Sequence, residues 1–265
     1  MSTDTARTAA KYDRAMYDVH MSALWANSDF FNFGYWRPGT TSHQEACENL
    51  VDALLAFLPS QPDVTLDVAC GLGATTAHIA SRYPGSKVTG VNISAKQLST
   101  AKRKHPECRF AQMDAVTLAF PDNSFDALVC VEAAFHFDTR ERFLQEAYRV
   151  LKPGGRLVLS DMLANPWAAR ARSTVVRSSV TMRNMAIGTE VYRHTFVACG
   201  FGSLQLVDIT TEAVTRLCSY HRKWSWSRLL TAWEVRAAGS LMLFDLMILL
   251  GIRQYLIVAA QKPGR

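Results

Sequence analysis

Residues 64–80 read VTLDVACGLGATTAHIA. The run begins with apolar residues typical of a buried strand, breaks at a glycine-containing turn, and continues with the spacing of a helix. Small residues at Ala69, Gly71 and Gly73 allow the chain to bend tightly and allow a ligand to touch the main chain. α/β proteins use such a strand–turn–helix to bring backbone close to a nucleotide. The stretch therefore predicts an α/β fold with a nucleotide-like ligand at the turn.

Apolar strand-like runs alternate with helix-period stretches along the rest of the chain, which predicts a doubly wound, seven-stranded and mostly parallel sheet. Ser94 is a suitable N-cap for one helix, and Pro153 with a following glycine pair ends another. The predicted strands are 64–69, 87–92, 108–112, 125–131, 155–161, 204–209 and 255–261. The predicted helices lie near 43–58, 73–83, 95–104 and 139–150.

Two regions lie outside the predicted sheet. Residues 1–42 form an aromatic-rich lead segment, interpreted as a helical lid, and residues 163–253 form a helical cap that includes the strand 204–209. Residues 43–162 are the ligand-binding core, and residues 254–265 are the last strand and tail. Because open α/β sheets bind ligands at the carboxyl ends of their strands, we expect lid and cap to close over that edge.

The net charge of +6 is unevenly distributed, since residues 151–265 carry 15 Lys and Arg against 6 Asp and Glu. Solvated helix faces are the favoured explanation; the alternatives are attraction of an anionic substrate, a membrane surface or nucleic acid. No segment interleaves aromatic and basic residues as RNA-binding modules do, so nucleic acid is not expected. Six scattered cysteines without zinc-site spacing, and a polar N-terminus, predict a cytoplasmic protein with free thiols and no metal.

Residues 213–252 raise the question of a membrane, because they combine tryptophans with arginines and end in the apolar run LMLFDLMILLGI. That run is twelve residues long and contains Asp245, whereas spanning a bilayer takes about twenty apolar residues. A core or cap helix is the favoured interpretation. A basic amphipathic helix lying on a membrane surface is the alternative.

Four motifs follow one another at distances that resemble a known family: LDVACGLG at 66–73, VTGVNIS at 88–94, FAQMDA at 110–115, and the segment 125–161. Together they resemble the class I S-adenosylmethionine-dependent methyltransferases. The similarity points to the small-molecule branch with sterol, tocopherol, spinosyn-type and rebeccamycin-type natural-product enzymes. It covers about residues 30–162 and implies a Rossmann-like fold, S-adenosylmethionine as cofactor, and no metal.

The resemblance implies that the turn, with Ala69, Gly71 and Gly73, runs beneath the methionine end of the cofactor. The family usually has glycine where this chain has Ala69, a departure that a small residue should tolerate. Asp67 is expected to orient the loop and to reach the cofactor's amino group through water. The alternative is a purely structural strand–helix turn.

The resemblance also places the ribose and the adenine. Asn92, followed by Ile93 at the tip of the second strand, is expected at the ribose hydroxyls, where a carboxylate would bind better because it accepts two hydrogen bonds. Asp114 is expected to accept from the adenine amine, with Met113 as an apolar wall. The alternatives are a turn-forming role for Asn92 and a surface loop position for Asp114.

The family places its chemistry after the fourth strand, in the segment EAAFH. Glu132 and His136 are four residues apart, so on a helical turn both would face the cofactor's methyl group. His136 is the candidate general base, because histidine can take up a proton near neutral pH. The alternative is a structural histidine beside an apolar segment. In the lead segment, Tyr35 is expected at the methionine carboxylate and Trp36 over the sulfonium, the alternative being attachment of this segment to the core.

The lid and cap supply aromatic and methionine side chains suited to a hydrophobic acceptor such as a terpenoid, polyketide, alkaloid or lipid-like molecule. If the arginines of the cap converge, the acceptor carries an anionic group. The candidate acceptor residues are Tyr17, Trp25, Phe31, Trp167, Met182, Tyr192 and Phe196, and the arginines are Arg170, Arg172, Arg177, Arg183 and Arg193.

We therefore predict an S-adenosylmethionine-dependent methyltransferase that transfers a methyl group in line to carbon or oxygen of a small molecule. One alternative is a cyclase or isomerase of natural-product biosynthesis on the same fold, and another is a membrane-peripheral binding module. A nicotinamide-dependent dehydrogenase is disfavoured, because Thr76 stands where the third glycine of GxGxxG would be.

Overall fold

The predicted doubly wound sheet is present in the computed structural model, which describes residues 3–18, 25, 28–58, 61–166, 184–185, 187–227 and 232–264. Within these residues the strands are β1 (Val64–Val68), β2 (Lys87–Asn92), β3 (Arg109–Gln112), β4 (Phe125–Val131), β5 (Leu151–Ala164), β6 (Gly202–Asp208) and β7 (Ile252–Gln261). Their order in the sheet is β3-β2-β1-β4-β5-β7-β6. β7 runs antiparallel to both of its neighbours, and the pairs from β3 to β5 are parallel. The seven predicted strands are confirmed, and β5 is longer than predicted.

The four helices predicted near 43–58, 73–83, 95–104 and 139–150 are also present, and the described residues add one helix in the lead segment and three in the cap. Ser94 caps its helix as predicted, since its hydroxyl accepts from the amide of Gln97. The helices are α1 (Thr3–Met16), α2 (His43–Leu55), α3 (Ala74–Arg82), α4 (Ala95–Lys104), α5 (Arg140–Val150), α6 (Thr189–Ala198), α7 (Arg216–Ser227) and α8 (Ala232–Gly251).

Alternating residues of the central strands bury their side chains on opposite faces of the sheet. Val129 of β4 belongs to the cluster that includes Leu50 of α2 and Ile79 of α3. Its neighbour Leu128 belongs to the cluster formed with α5 and α6, which includes Phe143. The period-2 pattern of a strand thus makes two hydrophobic layers from one sheet. These layers fix the positions of the strand ends where the candidate site lies.

The carboxyl ends of β1, β2, β3 and β4 meet at one edge, because these strands are parallel neighbours. The segment formed by α1 and the next residue, Tyr17, lies across this edge and contacts it at three points. The hydroxyl of Tyr12 bonds to His136, Asp13 accepts from Ser94 at 2.6 Å, and the hydroxyl of Tyr17 bonds to Thr100 at 2.7 Å. We call α1, together with Tyr17 directly after it, the lid helix.

The cap helix α8 leaves one apolar face exposed, with Met242, Leu243 and Leu246 more than half exposed. Leu241 and Ile248 of the same helix are buried. Among the helices in the described part of the chain, none combines the length and the apolarity needed to cross a membrane.

Candidate functional site

The glycine turn adopts left-handed backbone at three positions. Ala69 has φ 64°, Gly71 has φ 55° and Gly73 has φ 93°. A side chain at Ala69 is therefore strained by about 1–2 kcal/mol, which explains why glycine is usual there in the family. A Cβ atom added at Gly73 would lie 2.9 Å from the Cβ of Ala101 and 3.0 Å from the ring of Phe110. Gly73 thus lets α3 pack against α4 and β3.

We expect Gly73→Ala to destabilise the protein by about 2–4 kcal/mol, because it adds left-handed strain to overpacking against α4. Ala69→Gly is the matched control: it relieves strain in the same turn and is expected to leave stability unchanged or to raise it by up to about 1 kcal/mol. Urea unfolding followed by circular dichroism measures both. Equal stabilities of the two variants would contradict this account of the turn.

Asp67 lies at the end of β1 and is buried. Its carboxylate accepts a hydrogen bond of 2.7 Å from the hydroxyl of Thr76 in α3, which ties the strand to the helix across the turn. Burial raises the pKa of Asp67 to about 7, while the bond from Thr76 acts in the opposite direction. The bond to Thr76 is a direct contact through which Asp67 can orient the loop, as predicted. Contact of Asp67 with the cofactor stays a prediction.

Replacing Asp67 with asparagine should alter the dependence of stability on pH. Because the folded-state pKa of Asp67, about 7, lies above the unfolded value of 3.8, the wild-type carboxyl lowers stability as pH rises from about 4 to 7. We expect the stability of Asp67→Asn relative to wild type to increase by up to about 3 kcal/mol between pH 5 and pH 8. Denaturant unfolding at both pH values measures this difference. Asp122→Asn, at an exposed position, should show none; a constant Asp67→Asn difference would argue against the shifted pKa.

Asn92 ends β2 and is buried. Its side-chain oxygen accepts from the amide of Ile93 at 2.8 Å, and its side-chain NH2 donates to Gln97 at 2.7 Å. An amide oxygen has two lone pairs, so one acceptor position is available for a ribose hydroxyl. Gln97 in turn donates to Asp13 of the lid helix at 2.8 Å. The end of β2 is thereby linked to the lid.

Met113 and Asp114 follow β3, as the sequence predicts. Both are half-buried, and the amide of Met113 donates to the carbonyl oxygen of Asn92 at 3.0 Å. The carboxylate of Asp114 accepts from the amide of Val116 at 3.2 Å, which fixes its direction within the loop. The predicted ribose and adenine residues are therefore neighbours at one sheet edge.

Glu132 follows β4 in left-handed backbone, with φ 51°. One carboxylate oxygen accepts both from the amide of Phe33 at 2.8 Å and from the hydroxyl of Tyr255 at 2.7 Å. Burial raises the pKa of Glu132 to about 8. The prediction that Glu132 and His136 share a helical turn is wrong, because the helical turn is a 3₁₀ turn that covers only Ala134–His136. Because the backbone of Glu132 is left-handed, this residue cannot form part of a right-handed helical turn with His136.

His136, the last residue of this 3₁₀ turn, contacts the lid helix. The hydroxyl of Tyr12 bonds to Nε2 of His136, and the two ring centroids are 5.1 Å apart. Burial, with a smaller contribution from Lys11, lowers the pKa of His136 to about 3. Burial and the charge of Glu132 raise the pKa of Tyr12. A neutral imidazole therefore accepts from a protonated phenol.

Sequence reasoning missed the functional side chains of the lid helix. Tyr12 bonds to the candidate base, Asp13 bonds to the ribose-end network, and the methyl group of Met16 would lie 3.5 Å from a Cβ added at Gly71. One signal for Asp13 was available. Asn92 occupies the place of an expected acid, so a carboxylate could have been sought elsewhere in the chain.

The segment 32–36, NFGYW, packs as part of the core. The Trp36 ring lies 4.5 Å from the Tyr220 ring, and its indole N–H donates to the carbonyl oxygen of Phe33 at 2.9 Å. The amide of Tyr35 donates to the carbonyl oxygen of Ala46 in α2 at 2.7 Å. These contacts correspond to attachment of the segment to the core, and the position of Trp36 over the sulfonium stays a prediction. A cofactor contact of Tyr35 stays a prediction.

Three predicted acceptor residues come together around one cleft of about 240 Å³ beside the glycine turn. Tyr17, Trp25 and Phe31 line it, and Leu72 of the turn forms part of its wall. Arg103 and Lys104 of α4 also line the cleft, and Lys104 is paired at 2.5 Å with Asp29, a further lining residue.

Two other predicted acceptor residues belong to the core instead. Tyr192 and Phe196 of α6 are fully buried against the sheet, and the hydroxyl of Tyr192 donates to Asp161 at 2.9 Å. Their helical spacing fitted a position lining the cap, but the structure shows that both side chains pack in the core. Arg193 of the same helix lies 3.9 Å from Glu190 in an exposed ion pair. The remaining predictions, Trp167, Met182, Arg170, Arg172, Arg177 and Arg183, fall outside the described residues.

The residues at this edge fit S-adenosylmethionine. Among the described residues, a Cβ at Gly71 would meet only the methyl group of Met16 within 4 Å, so the turn is open to a ligand on that side. No side chain in the same part of the chain caps the first turn of α3, whose amide groups suit a ligand carboxylate. An acceptor for ribose at Asn92 and a carboxylate for adenine at Asp114 follow along the same edge. Gly71, Gly73, Asn92 and Asp114 are the residues that would hold the group.

A sheet of this order, with polar groups at the carboxyl ends of its first four strands, defines the Rossmann-like class of nucleotide-binding proteins. The methyltransferase domain family matches residues 66–159. The O-methyltransferase resE of Aspergillus sclerotiorum is 33% identical over 224 residues, which cover 79% of this chain and 82% of the relative. The chain belongs to the S-adenosylmethionine-dependent methyltransferase family, and S-adenosylmethionine is its cofactor.

Further similarities agree with this family. The 27-O-demethylrifamycin SV methyltransferase of Amycolatopsis mediterranei is 34% identical over 153 residues, 55% of each chain. This chain thus aligns with about half the length of that relative. Among solved structures, the 4+2 cyclase SpnF superposes with a TM-score of 0.77 and 21% identity, over 100% of this chain and 98% of the other. That likeness concerns the fold.

Proposed function

We propose that this protein transfers a methyl group from S-adenosylmethionine to carbon or oxygen of a hydrophobic small molecule. The observation that carries the proposal is the Tyr12–His136 pair, which lies at the end of β4 and under the lid helix. The aromatic cleft beside the glycine turn supports an apolar acceptor. The rifamycin relative, whose name gives a natural product as its substrate, supports the same class of substrate.

The bound cofactor supplies an electrophilic methyl group on a sulfonium. The protein must then align the acceptor, exclude water and remove a proton. Tyr12, Met16 and Tyr17 on the lid helix cover the edge and exclude water. Burial lowers the pKa of His136, so its imidazole is neutral. Its Nε2 accepts from Tyr12 in this structure, and it takes up the proton of an acceptor hydroxyl or acidic carbon when that group displaces the Tyr12 hydroxyl.

Glu132 provides a second function in this proposal. Its carboxylate is fixed by Phe33 and Tyr255, and it lies close enough to Tyr12 for its charge to raise the pKa of that phenol. In the ionised form it stabilises positive charge on the sulfonium or on a cationic acceptor. Bonds from both neighbours hold the carboxylate in position without a rearrangement.

The proposal is tested in two steps. Calorimetry with S-adenosylhomocysteine should register binding, and incubation with S-adenosylmethionine and a set of terpenoid, polyketide and alkaloid acceptors should give a product heavier by one CH2 unit. A product of unchanged mass but altered retention would favour the cyclase alternative. Absence of cofactor binding by the folded protein would overturn both. The positive charge of Arg103, which lines the cleft, supports inclusion of anionic acceptors in the set.

We also propose a cytoplasmic location. Its support is chemical: all six cysteines are unpaired, which suits a reducing compartment. Burial raises the pKa of Cys47, Cys70 and Cys130, so these thiols are kept protonated and unreactive.

A further inference from the structure

A second histidine–carboxylate pair lies apart from the Tyr12–His136 pair. Nδ1 of His221 in α7 is 2.7 Å from a carboxylate oxygen of Asp245 in α8. Both residues are buried, with 2% and 9% of their surfaces exposed. Removing a carboxylate and an imidazole from water is unfavourable, and packing alone would be served better by apolar residues. The pair therefore requires an explanation beyond the packing of two helices.

Two polar atoms beside this pair lack partners. Within the described residues, Nε2 of His221 and Nε1 of Trp25 are buried and make no hydrogen bond. The centroids of these two rings are 6.3 Å apart. Each unsatisfied buried group lowers stability by about 1–3 kcal/mol. Two such groups on neighbouring rings therefore destabilise the protein unless they bind a partner.

The two atoms are chemically complementary. With Nδ1 of His221 donating to Asp245, Nε2 in the neutral form of the ring presents a lone pair and accepts a hydrogen bond. Nε1 of Trp25 is an N–H group that only donates. A hydroxyl group can accept from the indole and donate to the imidazole at the same time. A methoxy group cannot donate, and a carboxylate can do nothing but accept.

The pair is close to the acceptor cleft. Trp25 lines the cleft, and its ring also lies 5.4 Å from Phe31 and 6.4 Å from Phe33, whose amide bonds to Glu132. Phe244 of α8 lies 6.4 Å from Trp25 and 6.5 Å from His221, which makes the surroundings aromatic. Trp25 and His221 thus place two hydrogen-bonding atoms beside the cleft, with His43 4.9 Å from the Trp25 ring as a further polar neighbour. The ring of Phe31 contacts both Trp25 and Tyr12 and lies between this pair and the Tyr12–His136 pair.

We propose that Trp25 and His221, held by Asp245, bind a hydroxyl group of the acceptor at a point remote from the atom that is methylated. The inference rests on the proposed function and narrows its substrate class to alcohols and phenols with an apolar skeleton. In this arrangement Asp245 is a positioning residue, because it fixes the tautomer of His221 and touches no substrate.

The test compares ligands that differ only in this group. With saturating S-adenosylhomocysteine present, binding of 2-naphthol, 2-methoxynaphthalene and 2-naphthoate is measured by calorimetry, together with geraniol and its methyl ether. We expect at least one hydroxylated probe to bind about tenfold more tightly than its ether and than the carboxylate. Trp25→Phe keeps an aromatic ring but removes the N–H, and it should reduce the preference to about twofold or less.

Controls separate this inference from folding and from the proposed function. Trp36→Phe also removes an indole N–H, but one already paired with Phe33, and it should retain the hydroxyl preference. The double variant His221→Leu with Asp245→Leu removes the imidazole and its carboxylate partner together and should lose the preference while still binding S-adenosylhomocysteine. Equal binding of alcohol and ether, no binding of any alcohol, a preference for the carboxylate, or a preference that survives in Trp25→Phe would overturn the inference. Loss of S-adenosylhomocysteine binding by the wild type would count against the proposed function instead.

Discussion

Replacing His136 with alanine is expected to lower kcat for methyl transfer about 10²–10⁴-fold, the usual contribution of a general base. The binding of S-adenosylhomocysteine should change little, because the predicted cofactor residues lie on the turn and at the ends of β2 and β3. The geometry that supports this expectation is the bond from Tyr12 to Nε2 of His136, which directs that nitrogen toward the lid helix at the carboxyl end of β4.

The pH dependence of the same reaction gives a second check. Burial lowers the pKa of His136 from 6.5 to about 3. The imidazole is therefore already neutral at pH 5, and the fraction of neutral imidazole does not increase between pH 5 and pH 8. His136 should therefore contribute no inflection near 6.5. Inflections from Asp67 and Glu132, with pKa values of about 7 and about 8, should persist in His136→Ala. Single-turnover kinetics across this range, with an acceptor found in the screen, provide the measurement.

Tyr12→Phe is the matched variant for His136. It removes the phenol that occupies Nε2 and keeps the ring against Phe31 at the lid. We expect a smaller loss of kcat, up to about tenfold, since the base itself remains. A His136→Ala enzyme with kcat within threefold of wild type would exclude His136 as the base and would assign it a structural role.

The largest effect on stability is expected from Arg140→Leu, which should lower the free energy of unfolding by about 3–5 kcal/mol. Nε of Arg140 lies 2.8 Å from one oxygen of Asp161, and a second guanidinium nitrogen donates to the other oxygen at 3.1 Å. Both side chains are buried between β5 and the helices on that face. Without the guanidinium, the carboxylate of Asp161 keeps only Tyr192 and the amide of Met162 as partners.

Two companion variants make this stability prediction sharper. Replacing Arg140 and Asp161 together with leucine removes both charges and should recover most of the lost stability. Arg140→Lys keeps the charge but cannot form two parallel bonds, and it should lie between wild type and Arg140→Leu. Urea unfolding at pH 7 ranks the four proteins. A double variant less stable than Arg140→Leu would show that the ion pair is not the source of the effect.

Local sequence patterns were sufficient to predict most of the fold. The strand pattern, the Ser94 cap and the glycine turn depend on neighbours a few residues apart, and the sheet they predict is the sheet that forms. The spacing of aromatic residues led to a wrong prediction where two environments, a substrate wall and a core face, require the same helical period. Tyr192 and Phe196 are four residues apart on a helix, which fits a substrate wall and a core face equally well; burial against the sheet decides for the core.

By itself, the sequence determined the Rossmann-like sheet, the cofactor class and the residues at the ends of β1, β2 and β3, because each strand end is marked by residues next to it in the chain. Only the tertiary structure decided which distant side chains join that edge. Tyr12 meets His136 across 124 positions, and Asp13 meets Gln97 across 84. No periodic pattern encodes such contacts, since they depend on how the lid helix lies over the sheet. The pairing of His221 with Asp245 arises in the same way, from two helices that pack against each other.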